Sequence, residues 1–381
     1  MPMKFVQCDG IYASKCAVTN LCGVALKTER THGMKLHFSQ NDRQKLDQFL
    51  QIREENNRIL ELYSIYLNRH PRFLTADMVE SFAADCQLSN EEAFRSLFSA
   101  AIGLDSSDSP QDRRLERLYL QSGVHELDPS VFRENLYYKT VRFPHTQIGK
   151  WKFTTESYHP YEPFVCGHPV LRSDFREIPQ IGFFNEEYRF PAVLENGVEW
   201  MTVTPNEIET MREPISQAHG RVITFGLGLG YFAFCVSEKP DVSDVTVIER
   251  DESLIKLFRE HLLEQFPHKE KLRIIRADAF DYAQKEMRAE TYDFSFVDLW
   301  HDPSDGLELY LRMKRLEGLH TATEFSYWIE PTLLSYLRDM LLNSILDEDA
   351  HNGKILTDFS QLTDLLTSDF LRKLAPDIRK Q

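Results

Sequence analysis

A short glycine-rich segment directly follows a buried apolar run. Residues 222–225 carry no charge, and after them glycine alternates with leucine from Gly226 through Gly228 to Gly230. Glycine lets ligand atoms approach the backbone where a side chain would collide, and a following helix offers its N-terminal N–H groups there. The spacing is GxGxG, whereas a dinucleotide fingerprint is GxGxxG and would need glycine at Tyr231. Taken alone, this pattern predicts a ligand-binding turn or merely a tight one.

Two acidic residues follow the next two apolar runs. Glu249 comes nineteen residues after Gly230, and Asp278-Ala279 follows the run 272–275. A carboxylate at the first position can accept hydrogen bonds from both hydroxyls of a ribose. An aspartate at the second can accept from an adenine amino group while its apolar neighbour packs against the ring. Each acid alone fits a surface or helix-capping residue, but the ordered set, one at each strand end, predicts a nucleoside site.

A third acidic segment follows the apolar run 294–297. It reads Asp298-Leu-Trp-His301-Asp302-Pro303, with two carboxylates four positions apart and a histidine between them. Carboxylates attract an ammonium group and can take its proton as the nitrogen attacks an electrophilic carbon. Asp298, His301 and Asp302 are therefore the candidate catalytic residues. The alternative is that Asp298 ends a strand and that Asp302 and Pro303 only begin a helix.

These residues need a scaffold that brings strand ends together. Apolar runs alternate with helical patterns from residue 220 onward. The predicted strands are 222–225, 245–248, 272–275, 294–297 and 325–329, and the predicted helices are 253–266, a short one from Asp281, 304–316 and one from Pro331. Such alternation is typical of an α/β fold with a doubly wound, mostly parallel, Rossmann-like sheet, whose ligands bind at the carboxyl ends of the strands.

The rest of the chain divides by composition. We expect a β-like segment over 1–40, a helical domain over 41–139, a β-rich aromatic connecting segment over 140–219, and a ligand-binding α/β domain with a helical C-terminus over 220–381. Ser89 and Glu92 form a capping-box pattern inside the helical domain. Asn196 and Gly197 give a hairpin signal inside the connecting segment. The aromatic residues there could line a pocket, although a β-rich core explains them better.

Composition limits the function further. The chain has 381 residues, 44 Lys+Arg against 59 Asp+Glu and a net charge of −15, with 42% hydrophobic residues. It is therefore globular, and nucleic acid is disfavoured as a partner because phosphate binding needs a basic face. Six cysteines without a CxxC pair support neither a metal site nor a disulfide framework, and the N-terminus lacks the apolar core of a signal peptide. We expect a cytoplasmic protein without membrane attachment or a metal.

With these motifs in place, the chain resembles the class I S-adenosylmethionine-dependent methyltransferases, and among them the spermidine-synthase-like branch. The resemblance covers about 195–329. It implies that Gly226, Gly228 and Gly230 hold the aminocarboxypropyl end of S-adenosyl-L-methionine, that Glu249 holds the ribose, and that Asp278 with Ala279 holds the adenine. The segment 196–201 followed by Glu207 is similar to the hairpin and helix that precede the fold in polyamine synthases.

The departures from that branch shape the expected reaction. Polyamine synthases carry an acid in the glycine loop where this chain has Leu229, and they place D-x-x-D-P where this chain has D-x-x-x-D-P. No DPPY-type motif is present, and 359–375 look helical where the superfamily has an edge hairpin. The resemblance therefore implies methyl transfer from S-adenosyl-L-methionine to a small acceptor that can carry an amine, by direct in-line displacement. The alternatives are an aminopropyltransferase that uses decarboxylated S-adenosylmethionine, or a non-catalytic nucleoside-binding protein; a homodimer also stays open.

Overall fold

The computed structural model describes residues 40–287 and 291–346, together with one short antiparallel pair near the chain ends. That pair joins Leu36–His37 (β1) to Arg379–Lys380 (β16). The segment 1–40 was predicted to be β-like, but Gln40 already begins the first helix, and 1–35 and 38–39 lie outside the described residues, as does the segment 359–375, predicted to be helical. In the part of the chain that the structure describes, no helix is long and apolar enough to cross a membrane.

One long helix and several short ones fill the first hundred described residues. They are α1 (Gln40–Arg69), α2 (Ala76–Cys86), α3 (Asn90–Ala101), α4 (Pro110–Leu115), α5 (Pro129–Arg133) and α6 (Leu136–Thr140), with a π turn at Glu116–Leu120 and a short turn at Gln121–Gly123. The capping box is confirmed, because Ser89 Oγ accepts from the Glu92 N–H and Glu92 Oε2 accepts from the Ser89 N–H. Helix α4 begins at Pro110 because Ser109 caps it, its side chain accepting from the Asp112 N–H.

Short antiparallel and mixed sheets form the connecting part of the chain. The strands are β2 (Val124–Glu126), β3 (Gln147–Ile148), β4 (Trp151–Tyr158), β5 (Phe164–Val165), β6 (Val170–Leu171), β7 (Glu177–Ile178), β8 (Ile181–Phe183), β9 (Tyr188–Glu195) and β10 (Val198–Thr202). The predicted hairpin joins β9 to β10, with Asn196 and Gly197 at positive φ as a tight hairpin turn requires. Helix α7 (Pro205–Gln217) follows β10 directly.

These elements belong to two hydrophobic cores, and each core combines elements that are distant along the chain. One core joins α1–α3 to β8, where Phe94 stacks on Phe183 with ring centroids 3.9 Å apart. The other core joins β4 and β9 to the α/β part of the chain. The connecting segment therefore packs on both sides, and its hairpin β9–β10 is held against the sheet that follows.

A five-stranded parallel sheet occupies the last third of the described chain. Its strands are β11 (Gly220–Phe225), β12 (Val242–Glu249), β13 (Leu272–Arg276), β14 (Phe294–Val297) and β15 (Glu324–Tyr327), in the spatial order β13-β12-β11-β14-β15. Every neighbouring pair is parallel. The protein is thus a mixed α/β structure, as predicted. The strand order reverses between β11 and β14, and a sheet of this kind opens a crevice at that point.

In the described part of the chain, four helices follow the strands of this sheet. They are α8 (Tyr231–Ser237), α9 (Glu252–His261), α10 (Pro303–Glu317) and α11 (Glu330–Leu346), with 3₁₀ turns at Leu263–Gln265 and Lys269–Lys271, a helical turn at Ala279–Asp281 and a π turn at Tyr282–Glu286. Aspartate side chains cap two of these helices, Asp251 at α9 and Asp302 at α10.

Several predicted bounds were wrong. The helix predicted over 253–266 ends at His261, and a 3₁₀ turn follows it. The turn predicted from Asp281 begins at Ala279 because Asp278 caps it. The last strand ends at Tyr327 because Ile329, predicted to be in that strand, takes a positive φ of 49°.

Candidate active site at the strand ends

A cavity of about 330 Å³ opens at the carboxyl ends of β11, β12 and β14. This volume lies in the range of small-molecule sites. The predicted site residues that line it are Gly226, Gly228, Glu249, Asp278, Ala279, Asp298, His301 and Asp302. The hairpin strand β10 and the first turn of α7 form the opposite wall. Gly230, also predicted to bind the ligand, is not part of the lining.

The three glycines of the loop meet different constraints. A Cβ on Gly226 would lie 1.9 Å from the carbonyl oxygen of Asp298, so this glycine allows the loop to pass β14. A Cβ on Gly230 would lie 2.4 Å from the ring of Phe258, so this glycine serves helix packing. A Cβ on Gly228 would meet only Met201 Sδ, at 3.7 Å, and otherwise points into open space. Gly228 is therefore the position where the cavity is open to a ligand.

Glu249, at the end of β12, ties the loop to the sheet. Its Oε2 accepts from the Leu227 N–H at 3.3 Å, and its Oε1 accepts from the Asp251 N–H at 2.7 Å. Burial raises the pKa of Glu249 above its usual range, and these backbone donors partly offset that rise. A carboxylate can accept about four hydrogen bonds, so each oxygen retains room for a ribose hydroxyl.

Asp278 caps the helical turn at Ala279–Asp281, which is the alternative role that the sequence left open for it. Its Oδ1 accepts from the N–H groups of Phe280 and Asp281, both at 3.0 Å. Both bonds fall on one oxygen, so Oδ2 can still accept from an adenine amino group. Ala279 and Phe280 are buried beside it, and the guanidinium carbon of Arg312 lies 3.8 Å from the Phe280 ring centroid. This wall of the cavity is therefore an apolar surface with one acceptor at its edge.

Asp298 lies at the end of β14 opposite an acid that sequence reasoning did not assign to the site. Its N–H donates to the Phe225 carbonyl at 2.8 Å, which fixes the residue between β11 and β14. Burial raises the pKa of Asp298 to about 8, and the negative charges of Glu207 and Glu249 add to the rise. An acid with this pKa is poised to exchange a proton near neutral pH, as general acid–base groups are.

Glu207 belongs to the first turn of α7. Its Oε2 accepts from Thr202 Oγ1 at 2.9 Å and from the Thr204 N–H at 2.9 Å, in a capping box with Thr204. In the sequence, the T-x-x-E pattern of Thr204 and Glu207 indicates the start of a helix. Nothing local indicates that the same carboxylate faces Asp298, because that depends on how the hairpin and α7 dock on the sheet.

His301 and Asp302 form an adjacent ion pair. His301 Nδ1 lies 3.6 Å from Asp302 Oδ2. Burial opposes the charge on His301, but the hydrogen bond and charge of Asp302 outweigh it and raise the pKa of the imidazole. Burial likewise opposes the charge on Asp302, but its hydrogen bonds from His301 and Ser304 lower the pKa of that carboxyl. Asp302 also caps α10, so its carboxylate is held by the protein, whereas Asp298 faces the cavity.

Aromatic side chains form part of the cavity lining. All four tryptophans of the chain are among the lining residues: Trp151, Trp200, Trp300 and Trp328. The Trp200 ring lies 6.2 Å from that of Trp151 and 5.2 Å from that of His301, and 39% of the residue is exposed at the mouth. Such rings favour a cation or a flat ring as ligand.

The cavity is strongly acidic. Among the described lining residues, the carboxylates are Glu195, Glu199, Glu207, Glu249, Asp251, Asp278, Asp298, Asp302 and Asp305, and the bases other than histidine are Lys150 and Arg250. Lys150 Nζ is already within 2.6 Å of Glu195 Oε1 and 3.4 Å of Asp251 Oδ2. In the described chain, no group of three or more His, Cys, Asp or Glu is arranged to hold a metal ion. The cavity therefore attracts cations through fixed carboxylates.

Comparison with known proteins gives a limited answer. No protein-family model and no curated protein matches the chain. Among solved structures, spermidine synthase from Thermotoga maritima matches with a TM-score of 0.26 and 18% identity, over 36% of this chain and 52% of that one. A spermidine synthase in complex with the transition state analogue AdoDATO matches with a TM-score of 0.26 and 17% identity, over the same shares. This chain thus spans about half the length of the solved structures that it matches.

Proposed function

We propose that this protein transfers an alkyl group from a sulfonium nucleoside to a small cationic amine. The observation that carries the proposal is the position of Asp298, which lies at the topological switch point of a parallel sheet beside a glycine loop and lines the same cavity as Glu207, whose charge acts on it. Nucleosides bind at this edge of such sheets, and carboxylates at the same edge attract an ammonium group. The two requirements of the reaction meet in one cavity.

The residues present fit a sulfonium nucleoside. Gly228 borders open space in the cavity and would let a ligand approach the loop, Glu249 retains acceptor capacity for a ribose, and Asp278 Oδ2 would be available to an adenine amino group. When bound, the sulfonium supplies an electrophilic carbon and a neutral thioether as leaving group. The protein contributes orientation, which can provide much of the acceleration of such a displacement.

Asp298 would act as the proton acceptor. The amine must lose its proton before its lone pair can form the C–N bond, and the C–S bond breaks as that bond forms. A carboxyl group with a pKa of about 8 takes up and releases protons in the range where amines are assayed. A cationic ligand beside Asp298 favours its ionised form, so binding the acceptor also prepares the base.

The charge of the cavity favours aminopropyl transfer. The carboxylates lining the cavity repel a donor that carries a carboxylate, and Lys150 is already paired with Glu195 and Asp251. Decarboxylated S-adenosylmethionine keeps the sulfonium and the ammonium but lacks that carboxylate, so its net charge is one unit more positive. Electrostatics in this cavity therefore favours it over S-adenosyl-L-methionine.

Methyl transfer from S-adenosyl-L-methionine is the second candidate, and Leu229 favours it. This apolar residue lies in the glycine loop where polyamine synthases have an acid; it lines the cavity and is 3% exposed. An apolar contact offers nothing to the ammonium end of an aminopropyl group. The two candidates share the base and the acceptor but differ in the carbon that is attacked.

Mass spectrometry of products decides between them. The chain is incubated with each donor and a series of linear aliphatic diamines. Aminopropyl transfer yields methylthioadenosine and a product heavier than the starting amine by C₃H₇N, about 57 Da. Methyl transfer instead yields S-adenosylhomocysteine. Binding of either nucleoside without turnover of any amine would instead identify a non-catalytic nucleoside-binding protein.

Two variants at opposite ends of β14 test the base. Asp298→Asn should retain donor binding and lose about 100-fold or more in turnover, since general-base catalysis has that magnitude. Asp293→Asn, at the other end of the strand and outside the cavity, is the control and should retain turnover. Wild-type turnover in Asp298→Asn with every accepted amine would remove Asp298 from the mechanism.

A further inference from the structure

One turn of helix outside the cavity contacts its wall at three points. Asn135, the residue that caps α6, donates from Nδ2 to Tyr231 Oη at 2.9 Å. Tyr137 Oη donates to the Leu229 carbonyl at 2.6 Å, and Tyr138 Oη donates to the Val203 carbonyl. The three recipients, Val203, Leu229 and Tyr231, all line the cavity. The donors do not, and among the described residues the lining begins only at Lys150.

The central contact is buried and well packed. Tyr137 is 0% exposed, and its ring lies edge-on to the rings of Tyr231 and Phe234, at 5.3 and 5.2 Å. Burial raises the pKa of Tyr137 well above its usual range, so the hydroxyl remains a donor at every working pH. A carbonyl left without its donor in such a place costs the full penalty of an unsatisfied buried group. Leu229, between Gly228 and Gly230 of the glycine loop, is therefore held from outside the sheet.

We propose that α6 is a positioning device for the glycine loop and that Tyr137 is a positioning residue for the nucleoside donor. The identity of that ligand rests on the proposed function; the holding of the loop does not. The helical region would then affect donor binding without touching the donor, because it presents the loop in the conformation that binds. Preorganisation of this kind lowers the cost of ordering a loop when the ligand arrives.

The test compares two buried tyrosines. Tyr137→Phe removes the hydroxyl that holds Leu229. Tyr119→Phe is the matched control, because Tyr119 is also 0% exposed and donates at 2.7 Å to Asn56 Oδ1 in the helical region. Hydrogen exchange of the backbone amides over 226–231 is measured on the unliganded proteins. Affinity for S-adenosylhomocysteine and for methylthioadenosine is measured by calorimetry.

Tyr137→Phe should speed loop exchange and weaken nucleoside binding, each by about 5-fold, the equivalent of one hydrogen bond. With an accepted amine, KM for the donor should rise while kcat stays within about 2-fold, since the base is untouched. Tyr119→Phe should lower the melting temperature but change neither loop exchange nor binding. Asn135→Ser, which keeps a capping oxygen but cannot reach Tyr231, should act in the same direction as Tyr137→Phe, and it serves if that variant does not fold.

Equal loop exchange in Tyr137→Phe, Asn135→Ser and the wild type would overturn the proposal, whatever the ligand. If the wild-type protein binds neither nucleoside, the proposed function fails, but the exchange comparison still judges the role of α6. The two ideas can therefore fail separately.

Discussion

Burial and the charges of Glu207 and Glu249 raise the pKa of the Asp298 carboxyl group to about 8, so the folded protein keeps it protonated below that pH. In the unfolded chain an aspartate has a pKa of about 3.9. Between that pKa and the folded-state pKa, the unfolded state has therefore lost a proton that the folded state keeps. The contribution of this group to the free energy of unfolding therefore falls as pH rises from about 4 to 8. We expect Asp298→Asn to raise the melting temperature, and by more at pH 8 than at pH 5.

Asp293 provides the control of opposite sign for that experiment. Its Oδ2 accepts from the Arg221 N–H at 2.7 Å, and this bond lowers the pKa of the carboxyl. The charged form stabilises the fold, so Asp293→Asn should lower the melting temperature at neutral pH. Calorimetric scans of both variants at two pH values test the pair, and a pH-independent gain in Asp298→Asn would contradict the buried-acid assignment.

Glu249 gives a second prediction at the level of one side chain. Glu249→Ala should weaken nucleoside binding by about 1.5–3 kcal/mol, the range for hydrogen bonds to charged groups. Because Glu249 also accepts from the Leu227 N–H, part of that loss would come from the loop. Calorimetry with S-adenosylhomocysteine measures the loss, and Glu252→Ala, an exposed residue on α9, is the control. An unchanged affinity in Glu249→Ala would remove the ribose assignment.

The glycine loop separates folding from binding at the scale of one element. Gly226→Ala would place a Cβ 1.9 Å from the Asp298 carbonyl oxygen, and Gly228→Ala would place one in open space. We expect Gly226→Ala to destabilise the protein by about 3 kcal/mol or more, since neither backbone can yield cheaply. Gly228→Ala should cost only about 1–2 kcal/mol, from its positive φ, yet weaken nucleoside binding.

Urea unfolding and calorimetry of both variants measure this contrast. A Gly228→Ala variant that folds and binds like the wild type would show that the ligand does not approach the loop there.

The elements themselves were predictable where local chemistry decides them. Ser89 and Glu92 cap α3, Asn196-Gly197 turns the hairpin, and the strand 294–297 was predicted at its observed bounds. Each of these depends on residues within a few positions of one another. Strand ends are then brought together by the parallel order of the sheet, which is why all four predicted acids, Glu249, Asp278, Asp298 and Asp302, share one cavity.

Contacts between distant segments were not predictable in this way. Glu207 faces Asp298 because β10 and α7 dock over the sheet, and Tyr137 reaches Leu229 across 92 positions of sequence. Asp278 and Asp302 both cap helices, as their neighbours Phe280 and Pro303 allow, and the sequence could not say whether they also reach the cavity. Side-chain roles that depend on docking need the fold.

At the scale of the whole molecule, the charge of the chain and the charge of the cavity have the same sign. The net charge is −15, and carboxylates outnumber bases around the cavity. A cationic amine is therefore steered inward by a field that salt screens, with a Debye length of about 10 Å at 0.1 M ionic strength.

We expect kcat/KM for a diamine acceptor to fall as sodium chloride rises from 0.02 to about 0.5 M, with little change in kcat, because screening acts on encounter. Steady-state assays measure the dependence, and a neutral amino alcohol is the matched acceptor control. A salt dependence equal for both acceptors would show that the acidic wall does not guide the amine.

The tryptophans have an optical consequence. All four stand around one cavity, so the intrinsic ultraviolet emission of the protein originates at the candidate site. A ligand that displaces water from Trp200, which is 39% exposed, should shift the emission maximum to shorter wavelength. Titration with a nucleoside or a diamine can then be followed without a label, and Trp200→Phe should remove most of the shift. The tryptophan emission of the protein can therefore report directly on ligand binding.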